Sequence, residues 1–261
     1  MNGSTFLTAL FLTLLAGLAT GLGGLISILF KKINDKYIAF TLSFSAGVMI
    51  YISFMEILPD AIDNINIYEK NGSYFLAVVI FFAGIGLMAI VNNFIDDTPV
   101  ALVANLNEEK KRKQVLLVGI ITFAGIIIHN IPEGMAAFMS SAYDLNSGII
   151  IVIAISLHNI PEGLAVAGAI YYATHSRKKA LKYTFISGMA EPAGGILAYF
   201  LFKDSINAFS MSIIYSVAAG VMVYIALEEL LIKSRKYASA ALCFFGWVIG
   251  MIVISLGLML K

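Results

Sequence analysis

The sequence contains few charged residues and almost no cysteine. Asp, Glu, Lys and Arg make up only 13% of its 261 residues, about half their share in an ordinary soluble domain. With 60% hydrophobic residues, this composition argues against a soluble enzyme. The formal net charge of +1 excludes a basic nucleic-acid-binding protein, so no nucleic-acid partner is expected. The single cysteine, Cys243, cannot form an intramolecular disulfide and is too few for a cysteine-built metal site.

The sequence is instead rich in long apolar runs, with a mean hydropathy of +0.90. A bilayer crossing needs about 20 mainly apolar residues, and its backbone must satisfy its own hydrogen bonds, so each run predicts a helix. The strands of a membrane β-barrel would alternate apolar and polar residues over segments of about ten residues, whereas these runs are longer and uniformly apolar. Residues 1–261 are therefore predicted to form a single polytopic all-α transmembrane domain. Its eight spans lie at about 5–30, 37–58, 74–95, 115–140, 147–173, 179–202, 208–232 and 238–260.

The basic residues predict the orientation. Of the 17 Lys and Arg residues, 14 fall in the odd-numbered loops, and only Lys70, Lys203 and the terminal Lys261 lie on the other side. Because basic loops stay in the cytoplasm, both termini are predicted to be extracytoplasmic. The predicted location is the inner, or plasma, membrane, as a multi-pass protein surrounded by the lipid bilayer.

Six glutamates fall inside the predicted spans, where an ionised carboxylate costs about 2.5–3.5 kcal/mol or more. They are Glu56, Glu133, Glu162, Glu191, Glu228 and Glu229. Glu133, Glu162 and Glu191 lie near the middle of spans 4, 5 and 6, where no Lys or Arg is available to neutralise them. The missing positive charge is therefore either a proton or a bound cation.

Spans 4 and 5 carry the same six residues, HNIPEG, at 129–134 and 158–163. In a helix the His, the Asn and the Glu of such a motif share one face, so each copy presents an imidazole, an amide oxygen and a carboxylate together. These donors suit Zn²⁺, Fe²⁺, Co²⁺ or Mn²⁺. Two copies at one depth favour a site for one or two metal ions over a purely structural role. The candidate ligands are His129, Asn130, Glu133, His158, Asn159 and Glu162.

The other intramembrane glutamates are interpreted separately. Glu191 precedes Pro192 on span 6 and is predicted to be a third carboxylate of the same site. Glu56, toward the outer end of span 2, is a candidate entrance ligand, and an interfacial surface role is left open. Glu228 and Glu229 lie near the inner end of span 7, where an exposed or lysine-paired carboxylate is favoured over a role in ion release.

The sequence resembles the ZIP family of divalent metal transporters, and within it the bacterial ZupT-type branch. The resemblance covers essentially the whole chain and is carried by residues 44–49 and 54–59, by both HNIPEG copies and by residues 188–192. It implies eight helices, extracytoplasmic termini and a metal centre formed mainly by helices 4 and 5. The residues of this sequence that match the metal-binding positions of the family are the six motif ligands and Glu191. Many relatives have a histidine-rich loop between spans 3 and 4, whereas residues 96–113 contain no histidine.

The predicted function is uptake of divalent transition metals into the cytoplasm, zinc foremost and also iron, manganese, cobalt and cadmium. The metal is the transported substrate, no catalytic cofactor is expected, and the chain is not predicted to be an enzyme. A homodimer is left open. Three alternatives remain: an intramembrane metal-dependent hydrolase, although HExxH is absent; a proton-coupled carrier of organic solutes; and a receptor or scaffold that binds metal without moving it.

Overall fold

The computed structural model describes residues 2–29, 35–66, 73–94, 108–204 and 207–259, which are helical almost throughout and contain no strand. Two π-helical segments, Ser53–Ile57 and Ile225–Ile232, occur in the second and seventh spans. The first joins α2 to α3, and the second extends α9. The α-helices are α1 (Gly3–Leu29), α2 (Asp35–Ile52), α3 (Leu58–Asn66), α4 (Ser73–Phe94), α5 (Glu108–Tyr143), α6 (Leu145–Thr174), α7 (Arg177–Gly188), α8 (Ala190–Phe202), α9 (Ala208–Tyr224) and α10 (Ala240–Leu258).

The helices match the predicted spans. Seven described stretches are long and apolar enough to cross a membrane: Gly3–Leu29, Asp35–Ile65, Tyr74–Asn93, Leu145–Thr174, Arg177–Phe202, Ala208–Ile232 and Ala240–Leu258. The remaining predicted span lies in α5, whose 36 residues rise about 54 Å, more than the roughly 30 Å of bilayer hydrocarbon. Large apolar side chains such as Leu7, Phe75 and Phe200 are exposed on the outside of the molecule, as in a protein that faces lipid. The chain is thus an all-α, multi-pass membrane protein.

Residues 108–113 differ from the prediction. The sequence places them in the loop 96–113, but they form the first turns of α5; the loop's other residues, up to Asn107, lie outside the described ranges. Glu109 and Lys113 stabilise this end of the helix with an i,i+4 ion pair of 2.8 Å. The hydrogen bond from Lys113 also lowers the pKa of the Glu109 carboxyl below its ordinary value. Glu, Lys and Arg have a high helix propensity, and here this propensity outweighs the polar character on which the loop prediction was based.

The sixth span is broken in the middle, contrary to the prediction of one helix over 179–202. α7 ends at Gly188, Met189 forms the turn, and α8 begins at Ala190. The break lies beside Pro192, which has no N–H to donate to the carbonyl of Gly188 four residues earlier. As a result, Glu191 lies in the first turn of α8, where the helix dipole favours a negative charge.

The helices pack as two bundles. In the first bundle, α1 packs mainly against α6, and α5 packs against α6 and α8, with α7 alongside. In the second, α2 packs against α10, and α4 packs against α9, with α3 alongside. The two bundles meet where α2 contacts α6 and where α5 contacts α9. All seven predicted ligands therefore belong to the first bundle.

Glycines hold each bundle together by close backbone contact. A Cβ atom built on Gly163 of α6 would lie 1.9 Å from the carbonyl oxygen of Thr20 in α1, and one on Gly23 would lie 2.0 Å from that of Ile160. Among the described residues, every glycine whose Cβ would come within 3.0 Å of another helix's backbone makes that contact inside its own bundle. None of these close glycine contacts in the described part of the chain joins the two bundles.

Candidate metal centre

The two HNIPEG motifs meet in the core of the first bundle and are joined crosswise. His129 Nε2 lies 3.1 Å from Oε2 of Glu162, and His158 Nε2 lies 3.0 Å from Oε2 of Glu133. All four side chains are at most 1% exposed. Because α5 and α6 are antiparallel neighbours joined through Asp144, the first residue of each motif aligns with the fifth residue of the other. Each histidine consequently pairs with the glutamate of the other motif, which the sequence does not reveal.

The two asparagines fix this arrangement to the surrounding helices. Asn130 Nδ2 donates to the carbonyl oxygen of Ser187 near the end of α7, at 3.2 Å. Asn159 Nδ2 donates to the carbonyl oxygen of Ala16 in α1, at 3.0 Å, and to Oε1 of Glu191. Within the described chain, neither Oδ1 atom has a hydrogen-bond partner. Each amide therefore uses its N–H group for anchoring and keeps its oxygen as a neutral donor.

Glu191 of α8 lies next to the two motifs, where its Oε1 accepts a hydrogen bond from Asn159. Its side chain is completely buried, and it lies within electrostatic range of Glu133 and Glu162. The glycine of the first motif makes room for it, since a Cβ atom on Gly134 would lie 2.0 Å from the carbonyl oxygen of Glu191. The centre thus collects donors from α5, α6 and α8.

Each of the seven side chains retains one buried polar atom without a hydrogen-bond partner in the described ranges. These atoms are Nδ1 of His129 and His158, Oδ1 of Asn130 and Asn159, Oε1 of Glu133 and Glu162, and Oε2 of Glu191. Leaving such an atom unsatisfied costs about 1–3 kcal/mol. α6 has no Lys or Arg in its 30 residues to compensate the carboxylates. The cluster therefore offers the types of donor atom that bind a cation, and it contains carboxylates whose negative charge a cation would neutralise.

The donors do not yet surround a single point. Among the described residues, no three His, Cys, Asp or Glu side chains are placed to hold one ion as they stand. The Nε2 atom of each histidine is occupied by one of the two crosswise hydrogen bonds. A metal ion bound through the Nε2 atoms would therefore have to replace these hydrogen bonds with coordination bonds.

The remaining glutamates lie elsewhere. Glu56 is in the π-helical segment Ser53–Ile57 of the second bundle, where it is partly buried and where its segment packs against α9. Glu229 forms an ion pair with Lys233, as the sequence favoured. However, Glu229 also lines a small cavity between α5 and α9's π-helical extension, and His129 lines the same cavity. The i,i+4 spacing of Glu229 and Lys233 indicates the ion pair, but only the packing places it beside the centre.

These features define a polytopic membrane protein with a cluster of buried ligand-type side chains in its core. The ZIP zinc transporter family model matches residues 103–257. Bacterial relatives called zinc transporter ZupT match nearly end to end. The relative from Clostridium perfringens is 41% identical over 278 aligned positions, covering 99% of this chain and 98% of its own. Those from Streptococcus mutans and Oceanobacillus iheyensis are 43% and 44% identical, covering 97% of this chain and 97% and 98% of their own. The chain belongs to the ZIP family.

Membership confirms the resemblance drawn from the motifs. ZIP proteins are membrane transporters and not enzymes, so the prediction that the chain is not an enzyme is confirmed and the hydrolase alternative loses its support. In bacteria, a multi-pass transporter of this kind resides in the plasma membrane, which agrees with the predicted location.

Proposed function

We propose that this protein takes up divalent transition-metal cations, zinc foremost, into the cytoplasm through the centre described above. The observation that carries the proposal is the pair of crosswise His–Glu contacts, surrounded by buried donor atoms without partners in the described chain. The relatives named as zinc transporters support zinc as the main substrate. The same imidazole, amide and carboxylate donors suit iron, manganese, cobalt and cadmium, because the site has no thiolate to select strongly among them.

The carboxylates make entry of a dication into the bilayer energetically feasible. A divalent ion that loses its water in a low-dielectric core needs compensating negative charge. Glu133, Glu162 and Glu191 supply this charge, and the two imidazoles and two amide oxygens complete the coordination. Three carboxylates and four neutral donors are sufficient for one ion or for two ions that share a carboxylate.

Transport requires the centre to open to one side of the membrane at a time. We infer that the first bundle moves against the second, because the close backbone contacts at glycines of the described chain all lie within one bundle or the other and none joins the two. The ligands would then move together without losing their mutual geometry. The distribution of basic residues supports extracytoplasmic termini, and the cavity shared by His129 and Glu229 then lies toward the cytoplasmic end of α9.

The function is tested with purified protein in liposomes. Radiolabelled zinc should accumulate in protein-containing vesicles above the level of protein-free vesicles, and unlabelled Fe²⁺, Mn²⁺, Co²⁺ and Cd²⁺ should each reduce that accumulation. Metal binding without accumulation would indicate a receptor or scaffold instead. Absence of both metal binding and metal flux would favour a carrier of organic solutes.

A further inference from the structure

Exposed basic side chains lie together where α6 turns into α7. α6 ends at Thr174, and α7 begins at Arg177 after its N-cap, Ser176, whose side chain accepts a hydrogen bond from the backbone N–H of Lys179. The exposed basic residues of this turn are Arg177, Lys178, Lys179 and Lys182. None of them has an ion-pair partner among the residues that the structure describes. Their positive charge is therefore not compensated within that part of the chain.

The position of these charges is unfavourable for the helix itself. The first turn of a helix carries a partial positive charge, which stabilises anions and destabilises cations. Lys178 and Lys182 are one turn apart, and like charges at this spacing repel each other. The helix is nevertheless fixed in place, because Ala180 is completely buried in a cluster with Val166 and Ile170 of α6. A bound anion would offset both unfavourable interactions.

The two lysines share one face of α7 with exposed apolar side chains. Residues 178, 182, 186 and 189 follow one another at spacings of four, four and three, which places them on the same face of a helix. On this face, Ile186 is 43% exposed and Met189 is 38% exposed. The opposite face packs against α1, where a Cβ atom built on Gly24 would lie 2.3 Å from the hydroxyl oxygen of Thr184. The exposed face thus changes from positively charged to apolar along its length.

The depth of this face matches the headgroup region of a bilayer. The stretch Arg177–Phe202 has 26 residues and rises about 39 Å, whereas the hydrocarbon core is about 30 Å thick. Its ends therefore reach the headgroups, and the distribution of basic residues places the Arg177 end on the cytoplasmic side. Tyr183 is partly buried on the same helix, with its ring centroid 4.8 Å from that of Phe123. Tyrosine is enriched at the boundary between membrane and water.

We propose that this face of α7 binds an anionic phospholipid, with its phosphate at Lys178 and Lys182 and an acyl chain along Ile186 and Met189. The positive charge favours an anionic headgroup, and the apolar half of the face favours a lipid over a free anion. The positive-inside rule accounts for basic residues on this side of the membrane, but not for their place on a face that continues into exposed apolar side chains. The inference goes beyond the proposed function, since lipid binding does not require metal flux.

The test uses the full-length protein in a neutral detergent, with phosphatidylglycerol as the anionic lipid and native mass spectrometry to measure lipid binding. We expect the wild type to bind phosphatidylglycerol in preference to phosphatidylcholine. Lys178→Gln with Lys182→Gln should weaken phosphatidylglycerol binding about tenfold, because each lysine at a membrane surface adds to the attraction of anionic lipid. Ile186→Ser should weaken binding to a smaller extent, since it removes apolar contact with the acyl chain. Phosphatidylglycerol should also raise the unfolding temperature of the wild type more than that of the double lysine variant.

Arg235→Gln with Lys236→Gln is the matched control, because it removes two exposed basic side chains from the turn before α10 and leaves α7 unchanged. It should leave the phosphatidylglycerol affinity unchanged. An equal loss of affinity in the two double variants would indicate attraction by net charge alone and would overturn the site. Displacement of the bound lipid by inorganic phosphate would indicate a free-anion site and would overturn the proposal as well. By contrast, protein that binds the lipid as expected but moves no zinc would contradict the transport proposal alone.

Discussion

Replacing Glu162 by glutamine should reduce zinc uptake about 100-fold or more while the protein still inserts into the membrane. Glutamine has nearly the same size, but it removes one of the three buried charges available to a dication and the carboxylate that pairs with His129. Removing one partner of a buried charged pair typically costs about 3–5 kcal/mol, and each 1.4 kcal/mol corresponds to about a factor of ten. The measurement is the initial rate of radiolabelled zinc uptake in liposomes, normalised to the amount of inserted protein.

Glu228→Gln is the matched control, since Glu228 is also a carboxylate within a predicted span but is not among the seven ligands. It should retain most of the wild-type uptake. The crosswise pairing adds a second test: His129→Ala should cost much less in the Glu162→Gln background than in the wild type, because the two residues act together. Near-normal uptake by Glu162→Gln, or additive effects of the two changes, would contradict the assigned centre.

Gly163→Ala should also reduce uptake by about 100-fold, although it adds only a methyl group and changes no ligand. The new Cβ would lie 1.9 Å from the carbonyl oxygen of Thr20, so α1 and α6 would have to separate. Their separation would displace Asn159 from its hydrogen bond to Ala16. A displacement of about 1 Å in a binding site can cost about two orders of magnitude. The same uptake assay measures the effect, with thermal unfolding in detergent as a second readout.

Gly86→Ala provides the comparison on α4. No atom of the described residues lies within 4 Å of a Cβ built at Gly86. This variant should transport normally and should be slightly more stable, since alanine favours a helix interior over glycine by about 1 kcal/mol. If Gly163→Ala transported as well as Gly86→Ala, the close contact of α1 with α6 would not be needed to hold the centre.

The sequence was sufficient to predict the membrane-spanning helices, because the length of an apolar run is a local property. The sequence was insufficient to predict the secondary structure at two places. The charged segment at 108–113 was predicted as loop, although Glu109 and Lys113 pair along a helix. The sixth span was predicted to be continuous, although Pro192 is visible in the sequence. Proline does not break every membrane helix: α5 and α6 continue through Pro132 and Pro161. Whether a helix ends at a proline depends on neighbouring groups that satisfy the freed carbonyl, and those are known only from the packing.

By itself, the sequence determined which donors are available and that the histidine and glutamate of each motif lie one helical turn apart. It also determined that no basic residue could neutralise the mid-membrane carboxylates. Only the tertiary structure decided that His129 meets Glu162 and that His158 meets Glu133, because this pairing depends on the antiparallel alignment of α5 with α6. It likewise decided that Glu191 reaches the cluster and that all seven donors lie in one bundle. These contacts join residues far apart in the chain, so no local pattern specifies them.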